Sequence, residues 1–463
     1  MKKKVLSTIL CVASGMVVSA QTLTTDDVDR LRNGFQMDAS TRAIQNILTT
    51  TYDFKSLALN HQMDGTIDHV FKYRVDVSGI TNQKKSGRCW MFTSMNVLRP
   101  SVMKQFNLTE FDFSHTYLYF WDLLEKSNLF LENIIATASK PFDDREVEHY
   151  FSAPVEDGGV WNHYFNVGGK YGVVPASVMP ETENSYHSEE MLSVLNEKLR
   201  VAGYALREQA VASGRSAADM RRLRETKQAA LADVYRILAL CIGEPPTEFE
   251  WRYTDADGRT VTKKYTPKEF YDAITPADYS PENYIMIMND PTREYYKLYE
   301  ISNYRNTIEG INWVYLNLPN EDIKQAALKS IKNNEALYAA CDVNKFLNRE
   351  TGIMDPALYD YESLFGVSLS MDKKARILTR QSSSEHAMTL IGVDTDDNDI
   401  PVKWQFENSW GTEIGHDGYL TFTDKWFDEY MFRFVIHRRY LNHEAIAALS
   451  TEHIVLPPWD YMF

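Results

Sequence analysis

Cysteine is scarce in this chain, with four among 463 residues, at positions 11, 89, 241 and 341. So few, without ligand-like spacing, exclude a disulfide-stapled scaffold and a structural zinc cluster. Long apolar runs are missing too. Past the extreme N-terminus, nothing approaches the roughly 18 apolar residues that a bilayer span needs. Positive charge is in deficit, since 49 Lys and Arg against 64 Asp and Glu leave a formal charge of −15. That balance argues against nucleic acid as a partner. Internal repeats and low-complexity tracts are absent. What remains is 44% hydrophobic and 24% charged, which excludes intrinsic disorder. At about 150 residues per domain, the length implies about three units, or one large domain carrying insertions.

Lys2, Lys3 and Lys4 precede an apolar run from Val5 to Val18, and Val18-Ser19-Ala20 supplies small residues of the kind a signal peptidase reads. Residues 1–20 are therefore expected to be a secretory signal, with the mature chain starting at Gln21. A buried N-terminal helix and a lipoprotein anchor at Cys11 are the weaker readings. A soluble exported product, in the periplasm, is the expectation. Losing Cys11 leaves three cysteines, so one thiol stays unpaired within the chain.

Residues 21 to about 55 have helical patterning, as does Asp112–Ala136, which Pro141 closes. The segment 152–182 is rich in Gly, Pro and aromatics and is expected to form ordered loops. From Glu189 to Leu240, long helices are expected, with Met220, Leu223, Leu231, Val234 and Leu238 on an apolar stripe and a hairpin following near Asp255–Gly258. Thr389–Val393, Val402–Phe406, Tyr419–Phe422 and Phe432–Ile436 have the pattern of short strands. The acidic run Asp394–Asp399 lacks the glycine and glutamate of a calcium loop and is expected to be a hairpin turn.

Chemistry concentrates at Thr81–Phe92. A loop of small and polar residues leads into Cys89-Trp90-Met91-Phe92, where an apolar helix begins. A cysteine at a helix N-terminus faces free N–H groups and the positive end of the dipole, which favour thiolate. Gln83 can swing an amide N–H toward charge developing beside that sulfur. His386 stands just before an apolar strand. Asn408 ends the next strand and begins Asn408-Ser409-Trp410-Gly411, so antiparallel pairing would set its side-chain oxygen against the imidazole. Nucleophile, base and orienting group would then be complete, with Trp410 shielding the hydrogen bond. Cys241 and Cys341 are read as core thiols.

Together, Gln83…Cys89-Trp90, His386 and Asn408-Ser409-Trp410-Gly411 resemble the papain-like cysteine peptidases. The long interval between Cys89 and His386 is similar to the bleomycin hydrolase and aminopeptidase C branch. So are Tyr117–Asp122, Asp157-Gly158-Gly159, Tyr171–Pro175, Asn289-Asp290-Pro291, Cys341-Asp342-Val343 and Leu456–Asp460. The resemblance implies an α+β papain-like fold with a large helical insertion between Cys89 and His386. Its expected parts are a helical lobe at 21–160, a mostly helical insertion and oligomerisation region at 161–330, a β-rich lobe at 331–445 and a C-terminal arm at 446–463.

The same resemblance implies a catalytic set of Cys89, His386, Asn408 and Gln83. It places Asp157, Gly158, Gly159 and Trp410 beside the substrate, and the Phe463 carboxylate at the free amine of a peptide. The implied protein is a homohexameric aminopeptidase needing neither cofactor nor metal. Departures from the family pattern are Glu385 before His386, Val160, Ala340, and Tyr461 with a bulky final residue. An endopeptidase with a displaced arm, a catalytically silent oligomer and a transglutaminase-like transferase are the competing readings.

Overall fold

A computed structural model describes residues 21–462 other than 64, 78, 214 and 215. The expectations for residues 1–20 and for Phe463 fall outside the described residues. The chain divides into two compact units, one running to Leu59 and including Tyr361–Val367, the other holding 60–360 and 368 onward. The first unit contains the helical segment Tyr361–Phe365 and, near the start of the described chain, the short helices α1 (Thr25–Gly34), α2 (Ala39–Leu48) and α3 (Phe54–Ala58). Thr24, Asp38 and Asp53 cap them with side-chain oxygens.

In the second unit, α4 (Cys89–Phe106) and α5 (His115–Ala136) form the centre of the helical part. Nearly every side chain in the first three turns of α4 is buried, the mark of a helix enclosed on all sides. After α6 (Arg145–Ser152), α7 (Trp161–Tyr171) and α8 (Glu183–Tyr186) come the two long helices α9 (Glu189–Ala212) and α10 (Ala217–Ile242). The stripe on α10 buries Leu223, Val234 and Leu238, whereas Met220 is exposed and Leu231 half-buried. These two helices pack on each other and on α5.

The strands are β1 (Tyr73–Arg74), the hairpin β2 (Phe249–Thr254) and β3 (Thr260–Tyr265), then β4 (Tyr284–Met288), β5 (Lys297–Ile301), β6 (Trp313–Asn317), β7 (Leu337–Cys341) and β8 (Ile353–Met354). After them come β9 (His386–Thr395), β10 (Pro401–Glu407), β11 (Tyr419–Thr423), β12 (Met431–His437) and β13 (Ile454–Leu456). One mixed sheet runs β13-β5-β6-β4-β12-β7-β9-β10-β11-β8, with β1 also paired to β9. The range 161–330, expected to be mostly helical, thus also supplies β4, β5 and β6 to that sheet. Runs such as Tyr-Ile-Met-Ile-Met are apolar at every position, so periodicity alone does not separate strand from buried helix.

The strand spacing places the site. β9 pairs antiparallel with β10 up to Thr389 opposite Glu407, and with β7 so that His386 faces Cys341. A register shift between Gln405 and Phe406 marks a bulge just before the turn that begins at Asn408. α4 lies against β9 and β7, which brings its first turn to the start of β9.

Candidate active site

Cys89 is the first residue of α4, and no side chain caps that helix end. The N–H groups of Trp90 and of Ala387 both reach its sulfur. Ala387 follows His386 in sequence, so the start of α4 and the start of β9 meet at this atom. The expectation that the helix terminus favours thiolate is only half of the balance. Burial pushes the thiol up to about 11 against the pull of those N–H groups and of the Arg433 charge, while Asp157 adds to the rise.

His386 Nε2 lies 2.8 Å from Asn408 Oδ1. The Ser409 backbone N–H donates to the same atom at 2.8 Å, so that atom is the amide carbonyl. Nε2 therefore carries the hydrogen, and the Nδ1 lone pair is left to accept a proton. The Trp410 ring sits 4.7 Å from the imidazole, centroid to centroid, and is itself backed by the Arg349 guanidinium. Burial brings His386 down to about 4, opposed by the Asn408 hydrogen bond and reinforced by Arg349. Taken singly, thiol and imidazole each favour the neutral form. The ion pair becomes attainable when both charges appear together, because each then offsets the other's desolvation.

Gln83 is held by both ends of its amide. Its Nε2 donates to the Ser86 carbonyl at 2.6 Å, and its Oε1 accepts from Ser409 Oγ at 2.6 Å. One amide hydrogen remains for an oxyanion. The Gln83 N–H also donates to the Ser409 carbonyl, and Gly411 N–H to Thr81, so the loop before Cys89 is pinned to the turn after Asn408. Gly411 has φ +78, and a Cβ there would stand 2.5 Å from the Asn82 amide, so this joint needs glycine.

Asp157 accepts from the Gly87 N–H at 2.6 Å, from the Ser188 hydroxyl, and through its carbonyl from Trp90 Nε1 at 2.8 Å. It thereby buttresses the nucleophile's loop. Gly158 and Glu156 offer their carbonyls to Lys126. Glu385 is exposed, its carboxylate taken by Ser383 Oγ at 3.1 Å, so the charge acting on His386 is Arg349 and not Glu385. Cys341 is buried on β7 and Cys241 half-buried, and both thiols are free.

The buttresses of the site leave little trace in the sequence. Arg88 is fully buried, forked on Glu181 at 2.8 and 3.1 Å, with Nε on Ser86 Oγ and its plane against Phe92 and Tyr119. Arg99 of α4 pairs with Glu407 at 2.6 Å, one residue before Asn408. A charged residue opening an apolar helix was a visible signal for Arg88, whereas Glu181, Glu407 and Ser409 carried none.

An α+β fold in which a helix-terminal cysteine meets a strand-borne His–Asn pair defines the papain-like class of cysteine peptidases. The Peptidase C1-like family model matches residues 22–463. The chain is 37% identical to mouse bleomycin hydrolase over 455 residues, covering 95% of this chain and 98% of that one. It is 35% identical to aminopeptidase C of Streptococcus thermophilus over 443 residues, at 95% and 98% coverage. The crystal structure of PepW from Lactobacillus rhamnosis HN001 superposes with TM-score 0.90 at 36% identity, covering 95% and 98%. The chain belongs to the bleomycin hydrolase and aminopeptidase C family of C1 peptidases, and it is a cysteine-type peptidase.

Proposed function

We propose that this enzyme removes residues from the free N-terminus of peptides through a Cys89–His386–Asn408 acyl-enzyme cycle, with the C-terminal arm limiting how far a substrate enters. The observation that carries the reading is the convergence at Cys89. The Ala387 N–H lies near its sulfur and favours its charged form, while the preceding residue, His386, is held by Asn408 with Nδ1 open.

In the proposed cycle the Cys89 proton passes to His386 Nδ1 as sulfur attacks the scissile carbonyl. The developing oxyanion takes the free Gln83 amide hydrogen and the Cys89 backbone N–H. His386 then gives its proton to the departing amine nitrogen, leaving a thioester. Water, losing a proton to the same Nδ1, attacks the thioester and releases the acid. Gly158, where a Cβ would meet only the Glu156 side chain at 3.8 Å, lets an extended peptide lie beside Asp157-Gly158-Gly159, and Trp410 keeps water from the His386–Asn408 bond.

The arm reading is supported by its docking. Asp460 pairs with Arg293, the Tyr461 hydroxyl bonds Thr292, and Met462 is fully buried with its carbonyl on Arg433. One residue further on, the Phe463 carboxylate would meet the substrate amine. A homohexamer exported to the periplasm and acting on exogenous peptides, not nucleic acid, completes the proposal. Among the described residues, no helix is long and apolar enough to cross a membrane.

The test digests a peptide mixture in two forms, with free and with acetylated N-termini, with a Cys89→Ala sample alongside and products read by mass spectrometry. Stepwise N-terminal trimming of the free set alone, absent from the variant, is the expected result. Internal cuts in both sets would make the enzyme an endopeptidase.

A further inference from the structure

The arm is held near the catalytic strand by a buried arginine that carries no proton in the proposed cycle. Arg433 Nη2 donates to the Met462 carbonyl at 3.0 Å and to the Ser384 carbonyl at 3.1 Å. Ser384 lies two residues before His386, and Met462 lies one before the C-terminus. A single guanidinium nitrogen thus joins the end of the arm to the segment that delivers the base.

Three features fix that nitrogen. Arg433 is 5% exposed, and its guanidinium lies 4.6 Å from the Trp313 ring centroid. Its strand position is in register with Ala340, which is in register with Ala387. One small side chain, Ala340, therefore separates it across the sheet from Ala387, whose N–H favours the Cys89 thiolate. Finally, the other anchor of the arm, Arg293, grips Asp460, and Asp460 Oδ1 accepts the Met462 N–H at 3.2 Å. Arg293 therefore fixes the approach of the arm, while Arg433 fixes its last peptide carbonyl.

We infer that Arg433 is a positioning residue for exopeptidase specificity, seating the end of the C-terminal arm against the catalytic strand so that only a substrate with a free, short N-terminal side fits. The inference rests on the proposed gating by the arm. Losing the two Nη2 hydrogen bonds releases the arm end from Ser384 and opens the cleft to N-terminally blocked peptides.

The test compares the parent with Arg433→Met, Arg433→Lys, a chain lacking residues 461–463, and Arg433→Met combined with that truncation. Each is given one peptide in free and acetylated form. The readout is the ratio of kcat/KM for acetylated over free substrate, which cancels any difference in folded fraction. The truncated chain is expected to raise this ratio at least tenfold. Arg433→Met is expected to raise it to the same order, the combination to rise no further, and Arg433→Lys to recover part of the parent's value.

If truncation opens the cleft while Arg433→Met keeps the parent ratio, the role of Arg433 is overturned and gating by the arm stands. A truncated chain with the parent ratio overturns gating itself, and with it this inference. Should Arg433→Met turn over neither peptide, amide hydrogen exchange at 457–462 decides. Acceleration supports the seating role, and parent-like protection overturns it.

Discussion

Arg88, which immediately precedes Cys89, and Glu181, 93 positions away, form a two-pronged ion pair. Glu181 also accepts from Ser185 Oγ at 2.6 Å. Arg88 also holds Ser86, whose carbonyl takes Gln83 Nε2, so one buried cation links the residue before Cys89 to the Gln83 amide.

Removing one partner of this pair leaves a buried charge unmatched. Glu181→Ala is expected to cost about 3–5 kcal/mol, read as a lower urea midpoint, and to reduce kcat more than it changes KM. Burial pushes Glu181 up, but Arg88 and His115 outweigh it and hold the carboxyl below its ordinary 4.5. Its contribution is therefore present above pH 4.5 and lost as pH falls through the lower folded value. Glu181→Gln should flatten that acid limb in a melting-temperature series.

The coupled neutral pair at the site predicts a specific alkylation profile. Iodoacetamide should modify Cys89 in the parent at neutral pH, where proton transfer to His386 supplies thiolate. In His386→Ala the rate should collapse at pH 7 and rise only toward the buried thiol's own value of about 11. Equal profiles in the two proteins would mean that His386 does not take the proton.

In the proposed cycle Asn408 acts by orienting His386. Asn408→Ala is expected to lower kcat by about 10²-fold with KM little changed, and Asn408→Asp to restore part of it while moving the basic limb of the pH–rate profile upward. Loss in KM alone would contradict the assignment.

Glu407 provides a second pH signature. Burial pushes it from 4.5 up to about 7 despite Arg99. A raised folded value means that its contribution to stability is complete below pH 4.5 and is lost as pH rises through about 7. Glu407→Gln should remove this slope in thermal melts between those limits, and a variant with the parent's slope would refute it.

Gly159 is fixed by contact. A Cβ there would meet the Trp90 ring at 2.6 Å and His163 Nδ1 at 2.7 Å, so Gly159→Ala is expected to cost about 1–3 kcal/mol. Because Trp90 follows Cys89, activity should fall further than stability, measured by active-site titration beside chemical denaturation.

Local pattern made much of this molecule legible. The final strands follow from short apolar runs between turn residues, and the helix opening at Cys89 follows from a polar loop giving way to aromatic side chains. The pairing of β9 with β10 followed from the hairpin at Asp394–Asp399, and with it the meeting of His386 and Asn408. β4 to β6 were hidden because an apolar run buried on both faces has no alternation to read. Asp157 was legible as a motif, yet its contact with Gly87 was not, since 70 residues separate them.

The sequence by itself determined which chemical groups exist and their local presentation: a thiol at a helix start, an imidazole at a strand start and an amide at a turn. Tertiary structure decided their ionisation and their support. Burial raised the thiol and lowered the imidazole, and neither effect is set by neighbours along the chain. Arg88 on Glu181, Arg99 on Glu407 and Arg433 on Met462 join positions far apart in sequence. In each, attraction between groups that only the packed fold brings within reach offsets the cost of burying them, so no local pattern announces them.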